Sequence, residues 1–225
     1  MSKHFRRDLD HLRKMLLGLG GLIEAAIERS LTALTDRRTD LAQEVVRRDL
    51  DIDAKELEVE SECLKILALH QPFAQDLRFL VTALKVNNDL ERMGDHAVII
   101  AERAELLAKQ DALPLPSGFD DMADQVREMV RMSLDSLLEQ DPDLARRVLA
   151  MDDSVDQLDR AMSSELRSQM GRDSRAIDRL MAMAGAIRDL ERIADLATNV
   201  AEDVVFLVEG KSIKHHAEDS GEPTA

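Results

Sequence analysis

One acidic string occurs twice in this chain, and that repetition constrains its fold more than any local motif. Asp89-Leu90-Glu91-Arg92-Met93-Gly94-Asp95-His96-Ala97 returns, shifted by 100 positions, as Asp189-Leu190-Glu191-Arg192-Ile193-Ala194-Asp195-Leu196-Ala197. The match continues to Ala101-Glu102 and Ala201-Glu202. Upstream the register is 103: Leu31 and Leu34 fall on Leu134 and Leu137, Asp40-Leu41-Ala42 on Asp143-Leu144-Ala145, and Val45, Asp49 and Asp53 on Val148, Asp152 and Asp156. The fall from 103 to 100 places a short length difference near His70-Gln71-Pro72. A repeat at this scale means two copies of one supersecondary unit. Each copy is about 100 residues, enough for one small core.

Helix is the element those copies are built from. The chain has no Trp or Tyr and only five Phe, and five Pro and nine Gly leave long uninterrupted stretches. Ala, Leu, Met, Glu and Arg are strong helix formers, and strand formers are few. Breaks fall near Thr35–Asp40, at His70–Pro72, at Asp141-Pro142 and at Met170-Gly171-Arg172-Asp173. Asp141-Pro142 reads as an N-cap with proline at the first helical position; Met170-Gly171-Arg172-Asp173 reads as a helix stop and a new cap. Lys109–Ser117, with Pro114 and Pro116, separates the halves. The expectation is an all-α chain of two tandem antiparallel three-helix bundles, over residues 1–110 and 117–210. The polar segment 211–225 is expected to be a disordered tail.

The last helix of each copy shows its buried seam. Val86, Leu90, Met93, Ala97, Ile100, Ala104 and Leu107 alternate in spacings of four and three, as do Ala186, Leu190, Ile193, Ala197, Val200, Val204 and Leu207. Such a stripe packs against neighbouring helices, and its small residues permit close approach. Phe73, Leu77, Leu80 and Leu84 lie on the side that later carries Glu91. Either the helix bends at Asn87-Asn88, or its first half is buried on a second side, as in a dimer contact.

Glu91 and Asp95 are four apart, so they share a face, nearly opposite the seam. Glu102 falls on the same line, and Glu191, Asp195 and Glu202 repeat the pattern. In the second helix of each copy, Asp49, Asp53 and Glu56 form a stripe, matched by Asp152, Asp156 and Asp159. Outward carboxylates on a bundle are usually just a solvated face. Here they recur in two helices of each copy and at matching positions in both. Antiparallel neighbours lie only about 10 Å apart, so two facing pairs could form an all-oxygen cation site. Arg92 and Arg192 compete, since they could neutralise the acids without metal. His96 has Leu196 as its counterpart and cannot be a ligand common to both copies; a surface position is expected for it.

Several classes are excluded or disfavoured. A net charge of −15 disfavours nucleic-acid binding. Cys63 is the only cysteine, so no intramolecular disulfide forms; it reads as a small buried hydrophobe. Met1–Leu12 lacks the apolar stretch of a signal peptide, and apolar runs such as Ala97–Ala101 and Val204–Val208 are too short to span a bilayer. A cytoplasmic protein is expected, with peripheral attachment to a membrane complex left open. There is no glycine-rich phosphate loop and no base poised beside a nucleophile.

Over residues 3–210 the chain resembles the PhoU family of phosphate-signalling regulators. The resemblance rests on the repeat and on Gln75-Asp76-Leu77-Arg78, on Lys85-Val86-Asn87-Asn88-Asp89-Leu90-Glu91-Arg92-Met93-Gly94-Asp95-His96-Ala97, and on Asp189–Asp203 leading into Val204-Val205-Phe206-Leu207-Val208-Glu209-Gly210. It implies two three-helix bundles related by a pseudo-two-fold, with metal clusters held by paired acid-x-x-x-Asp motifs. Carried over, Asp49, Asp53, Glu91 and Asp95 would hold one cluster, and Asp152, Asp156, Glu191 and Asp195 the other. The ion would be iron, or else zinc, manganese or magnesium. Ala194 in place of Gly94 is a departure behind the second set. The resemblance also implies a negative regulator of the phosphate-starvation response, not a catalyst. Its partners would be the ATPase subunit of a phosphate ABC transporter and a sensor histidine kinase, and a homodimer fits the same reading. The rival readings are a carboxylate-bridged di-iron oxidase or storage bundle, and a metal-free helical adaptor. Di-iron bundles place Glu and Glu-x-x-His inside, and no Glu-x-x-His occurs near Glu91 or Glu191.

Overall fold

The computed structural model describes residues 3–211. Within them the chain forms six α-helices: α1 Lys3–Thr35, α2 Thr39–His70, α3 Ala74–Ala108, α4 Phe119–Glu139, α5 Pro142–Arg172 and α6 Ile177–Glu209, with a 3₁₀ turn at Ser174–Ala176 before α6. The all-α expectation holds. Of the tail expected over 211–225, all but Lys211 lies outside the described residues.

Local chemistry sets most of the boundaries. Asp141 caps α5, its carboxylate accepting from the backbone N–H of Asp143 at 2.9 Å and of Leu144 at 3.0 Å, with Pro142 at the first helical position. Gly210 ends α6 at φ 72°, a left-handed conformation that glycine adopts without a Cβ clash. α5 ends at Arg172, within the expected stop, and Asp173 caps the following 3₁₀ turn by accepting from Arg175 N–H. The length difference between the copies lies at this turn. α2 and α3 have 32 and 35 residues, against 31 and 33 in α5 and α6. α1, with 33 residues, also outruns the 21 of α4.

Each half is a three-helix bundle, but the two do not have separate cores. A continuous set of buried apolar side chains runs from Phe5 to Leu207 through all six helices. α3 and α6 pack on each other most extensively, and α1 also touches α4. These four helices form a central layer, while α2 packs only on α1 and α3, and α5 on α4 and α6, apart from the adjoining 3₁₀ turn. α3 and α6 run antiparallel, since Lys85 lies beside Asp203, His96 beside Asp189 and Arg78 beside Gly210. Gly185 on α6 suits this close pairing, since a Cβ there would meet the Arg103 guanidinium of α3 at 2.6 Å.

α3 is uninterrupted through Asn87. That buried side chain donates to the backbone oxygen of Glu56 at 3.0 Å and to its carboxylate at 2.8 Å, locking α3 to α2. The second buried side expected for the start of α3 is supplied partly within the chain: Leu80 is fully buried and Leu84 half-buried, while Phe73 and Leu77 stay exposed. The connection between the halves is tied to both, Arg37 donating to Ala108 O at 3.1 Å and Arg179 to Asp111 O at 3.0 Å.

Candidate metal centres

Helical register brings the expected acids to neighbouring helices. The Asn87–Glu56 contact fixes α2 against α3, so that Asp53 lies near the level of Glu91 and Asp49 near that of Asp95. Their proximity shows in their chemistry. Burial pushes the Asp49 carboxyl above its usual range, and Asp53 and Asp95 push it further. Glu91 is raised by burial and then by Asp95, Asp53, Glu56 and Asp49. Four acids from two helices thus repel one another at one place.

The second copy repeats the arrangement between α5 and α6. Asp152 is pushed up to about 6, by burial first and then by Asp195, Asp156, Asp153 and Glu202. Glu191 is raised by burial and Asp195, against the opposing pull of Arg188; Asp195 is raised by burial and Asp156, against Arg192 and Arg188. The two faces differ in their cations. Arg160 pairs with Asp156 within α5, and Arg188 lies 3.9 Å from Asp159. The position of Asp159 in the first copy is taken by Glu56, held by a neutral asparagine. Of the two arginines expected to compete, Arg92 turns to Asp89 at 3.6 Å, and Arg192 acts on Asp195.

The donor set is all oxygen, carboxylate and crowded, which suits a hard cation. The arrangement is open, however. Among the described residues no three His, Cys, Asp or Glu side chains are gathered closely enough to hold a metal ion. A cation would have to draw these carboxylates together, and in the second copy displace Arg160 from Asp156. Glu56 and Glu202 join the crowding although neither stands in the sets carried over from the resemblance. Both lie on the expected stripes, so the signal for them was present.

A second polar cluster was not legible as one. His96 is not a surface residue: its ring is half-buried between α3 and α6, with Nδ1 3.0 Å from Asp189 Oδ1. Arg103 forms an ion pair with the same buried Asp189, and Lys85 pairs with the buried Asp203 at 3.2 Å. Burial holds the His96 pKa below its usual value, and Arg192 and Arg92 lower it further. The available signal was the departure from the repeat. Lys85, His96 and Arg103 stand opposite Gly185, Leu196 and Asp203 in the second copy, and a guanidinium fits beside Gly185 only because a Cβ there would meet it at 2.6 Å. Cys63 is fully buried, its thiol pushed up to about 12 by burial, and takes no part in either site.

Comparison with known proteins agrees with this architecture. The PhoU domain matches twice, over residues 16–104 and 119–204, one match within each bundle. A phosphate-specific transport system accessory protein PhoU homolog of Pseudomonas putida is 38% identical over 218 residues, covering 96% of this chain and 84% of that protein. The Pseudomonas aeruginosa homolog of the same name is 38% identical over 96% of this chain and 89% of its own length. The crystal structure of PhoU from Pseudomonas aeruginosa superposes with a TM-score of 0.87 at 38% identity, covering 92% of this chain and all of that one. The phosphate transport system regulatory protein PhoU from Streptococcus pneumoniae gives 0.85 at 28% identity, over 93% and 99%.

Proposed function

The chain belongs to the PhoU family, and we propose that it is a negative regulator of the phosphate-starvation response. In this reading it is a metal-binding adaptor that couples the ATPase subunit of a phosphate ABC transporter to a sensor histidine kinase and modulates phosphate uptake. The relatives named as accessory and regulatory proteins of phosphate transport support the role. The observation that carries the metal part is the twofold recurrence of mutually repelling carboxylates on two adjacent helices. Asp49, Asp53, Glu91 and Asp95 would hold iron or another hard cation in the first copy, and Asp152, Asp156, Glu191 and Asp195 in the second. A bound cation would relieve the repulsion and brace α2 on α3 and α5 on α6.

An adaptor suits the site better than a catalyst. The acids lie at the helix surface, whereas a di-iron oxidase turns its Glu and His ligands into the bundle. No helix of the described residues is long and apolar enough to cross a membrane, so in this reading the chain reaches membrane complexes peripherally, from the cytoplasm. A homodimer belongs to the same reading, with the exposed Phe73 and Leu77 as an apolar edge.

The test is alkaline phosphatase activity in a strain lacking this chain, grown in excess phosphate. Derepression reversed by the intact chain supports the regulator; normal repression removes it. In the same strain, Glu91→Ala with Asp95→Ala is expected to lower metal content of the purified protein while helicity is retained. Unchanged metal content would remove those two residues as ligands, and absence of metal from the parent chain would favour a metal-free adaptor.

A further inference from the structure

α2 carries an apolar stripe that nothing among the described residues covers. Val46, Leu50, Leu57 and Leu64 are 38, 74, 61 and 53% exposed. At 100° per residue they fall within about 40° of one another, and they run for about 27 Å along the helix. Scattered exposed leucines are ordinary, but three at successive heptad positions form a seam of the kind that packs against another helix.

The repeat supplies a control. At the register of 103, the positions of Leu50, Leu57 and Leu64 are filled in α5 by Asp153, Arg160 and Arg167, all exposed. The same fold with the same helix thus tolerates a charged surface there. The leucines of α2 are therefore not demanded by packing of the bundle.

The heptad also says what would cover the seam. Leu50, Leu57 and Leu64 take one of the two seam positions, and Val46, Asp53 and Glu60 take the other. A second copy of α2 packed in parallel would stack Asp53 on Asp53 and Glu60 on Glu60; packed antiparallel it would bury each acid against leucine. Both arrangements desolvate unpaired charge. Asp49, Glu56 and Glu91 add negative charge along the same flank. The complementary surface alternates apolar and cationic layers.

We propose that the Leu50–Leu57–Leu64 face of α2 is a docking surface for an amphipathic helix of another protein, whose seam alternates leucine-like residues with Lys or Arg. Knobs from that helix sit between the leucines, and its cations meet Asp53 and Glu60. Only one bundle carries the face, so each molecule takes one such helix. The face shares only Asp53 with the first carboxylate set; Leu57, Leu64 and Glu60 belong to neither set, and the substitutions that test the proposal are confined to these three.

The probe is a pair of synthetic 24-residue helical peptides with leucine at one seam position and either Lys or Glu at the other. Binding to the full chain is read by fluorescence anisotropy. The Lys peptide is expected to bind and the Glu peptide at least tenfold more weakly. Leu57→Glu and Leu64→Glu, both at exposed positions, are each expected to weaken the Lys peptide at least tenfold with helicity and metal content unchanged. Glu60→Lys is expected to narrow the preference for the Lys peptide. Equal binding of both peptides, no binding of either, or indifference to the leucine substitutions would overturn the proposal. So would a dimer in light scattering that Leu57→Glu converts to monomer, because the face would then belong to a second copy.

Discussion

Asp152 is the carboxylate most sharply marked by its surroundings. Its folded pKa of about 6 lies above the ordinary value of 3.8, so the folded chain holds this proton more tightly than the unfolded one. Its contribution to stability is therefore present below pH 4 and lost as pH rises through 6. Above that, ionised Asp152 works against folding. Asp152→Asn is expected to stabilise the metal-free protein at pH 7.5 by about 1 kcal/mol, a value discounted for solvent screening, with the gain vanishing near pH 4. Urea denaturation at the two pH values checks it. His96 has the opposite sign. Its pKa lies below 6.5 in the folded state, so its contribution is present above 6.5 and is lost as pH falls. His96→Gln, which can keep a hydrogen bond to Asp189, is expected to reduce the loss of stability between pH 7 and 5 relative to the parent chain.

Helix α3 meets α6 through basic side chains that the repeat does not share. The buried carboxylate of Asp189 is served by His96 and Arg103, and Asp203 by Lys85. Arg103→Ala leaves Asp189 buried with the imidazole alone, and the expected cost is about 3 kcal/mol. Asp189→Asn on top of it is expected to recover much of that loss, because the stranded charge is then gone; a double-mutant cycle in denaturant measures both. The start of α5 offers a simpler case. Asp141→Ala frees two N–H groups that its carboxylate now accepts from, at an expected cost of about 1 kcal/mol in the same assay.

At the scale of the molecule the shared core decides behaviour. Since α1, α3, α4 and α6 bury one continuous apolar set, the chain is expected to unfold as one cooperative unit despite its repeat. Calorimetric and van't Hoff enthalpies should agree, and two separated transitions would contradict this. The first half expressed alone, residues 1–113, exposes the α3 surface that α6 covers. It is expected to keep helical far-UV signal while binding a hydrophobic dye or associating with itself.

The sequence by itself determined the helical class, the repeat, the seams of α3 and α6 and the placing of the acids on one face. These are properties of periodicity along a single helix, and periodicity is local. Even the turn that absorbs the length difference was legible, because proline and capping residues act within a few positions of themselves. Only the tertiary structure decided what each face meets. A stripe of leucines announces a buried side without saying whether another helix of the chain covers it, as for Leu80, or nothing among the described residues does, as for Leu57. His96 read as a surface residue because its partner, Asp189, is 93 positions away. Contacts of that range depend on which helices close on each other, and here the packing of α3 on α6 joins two separately legible bundles into one core.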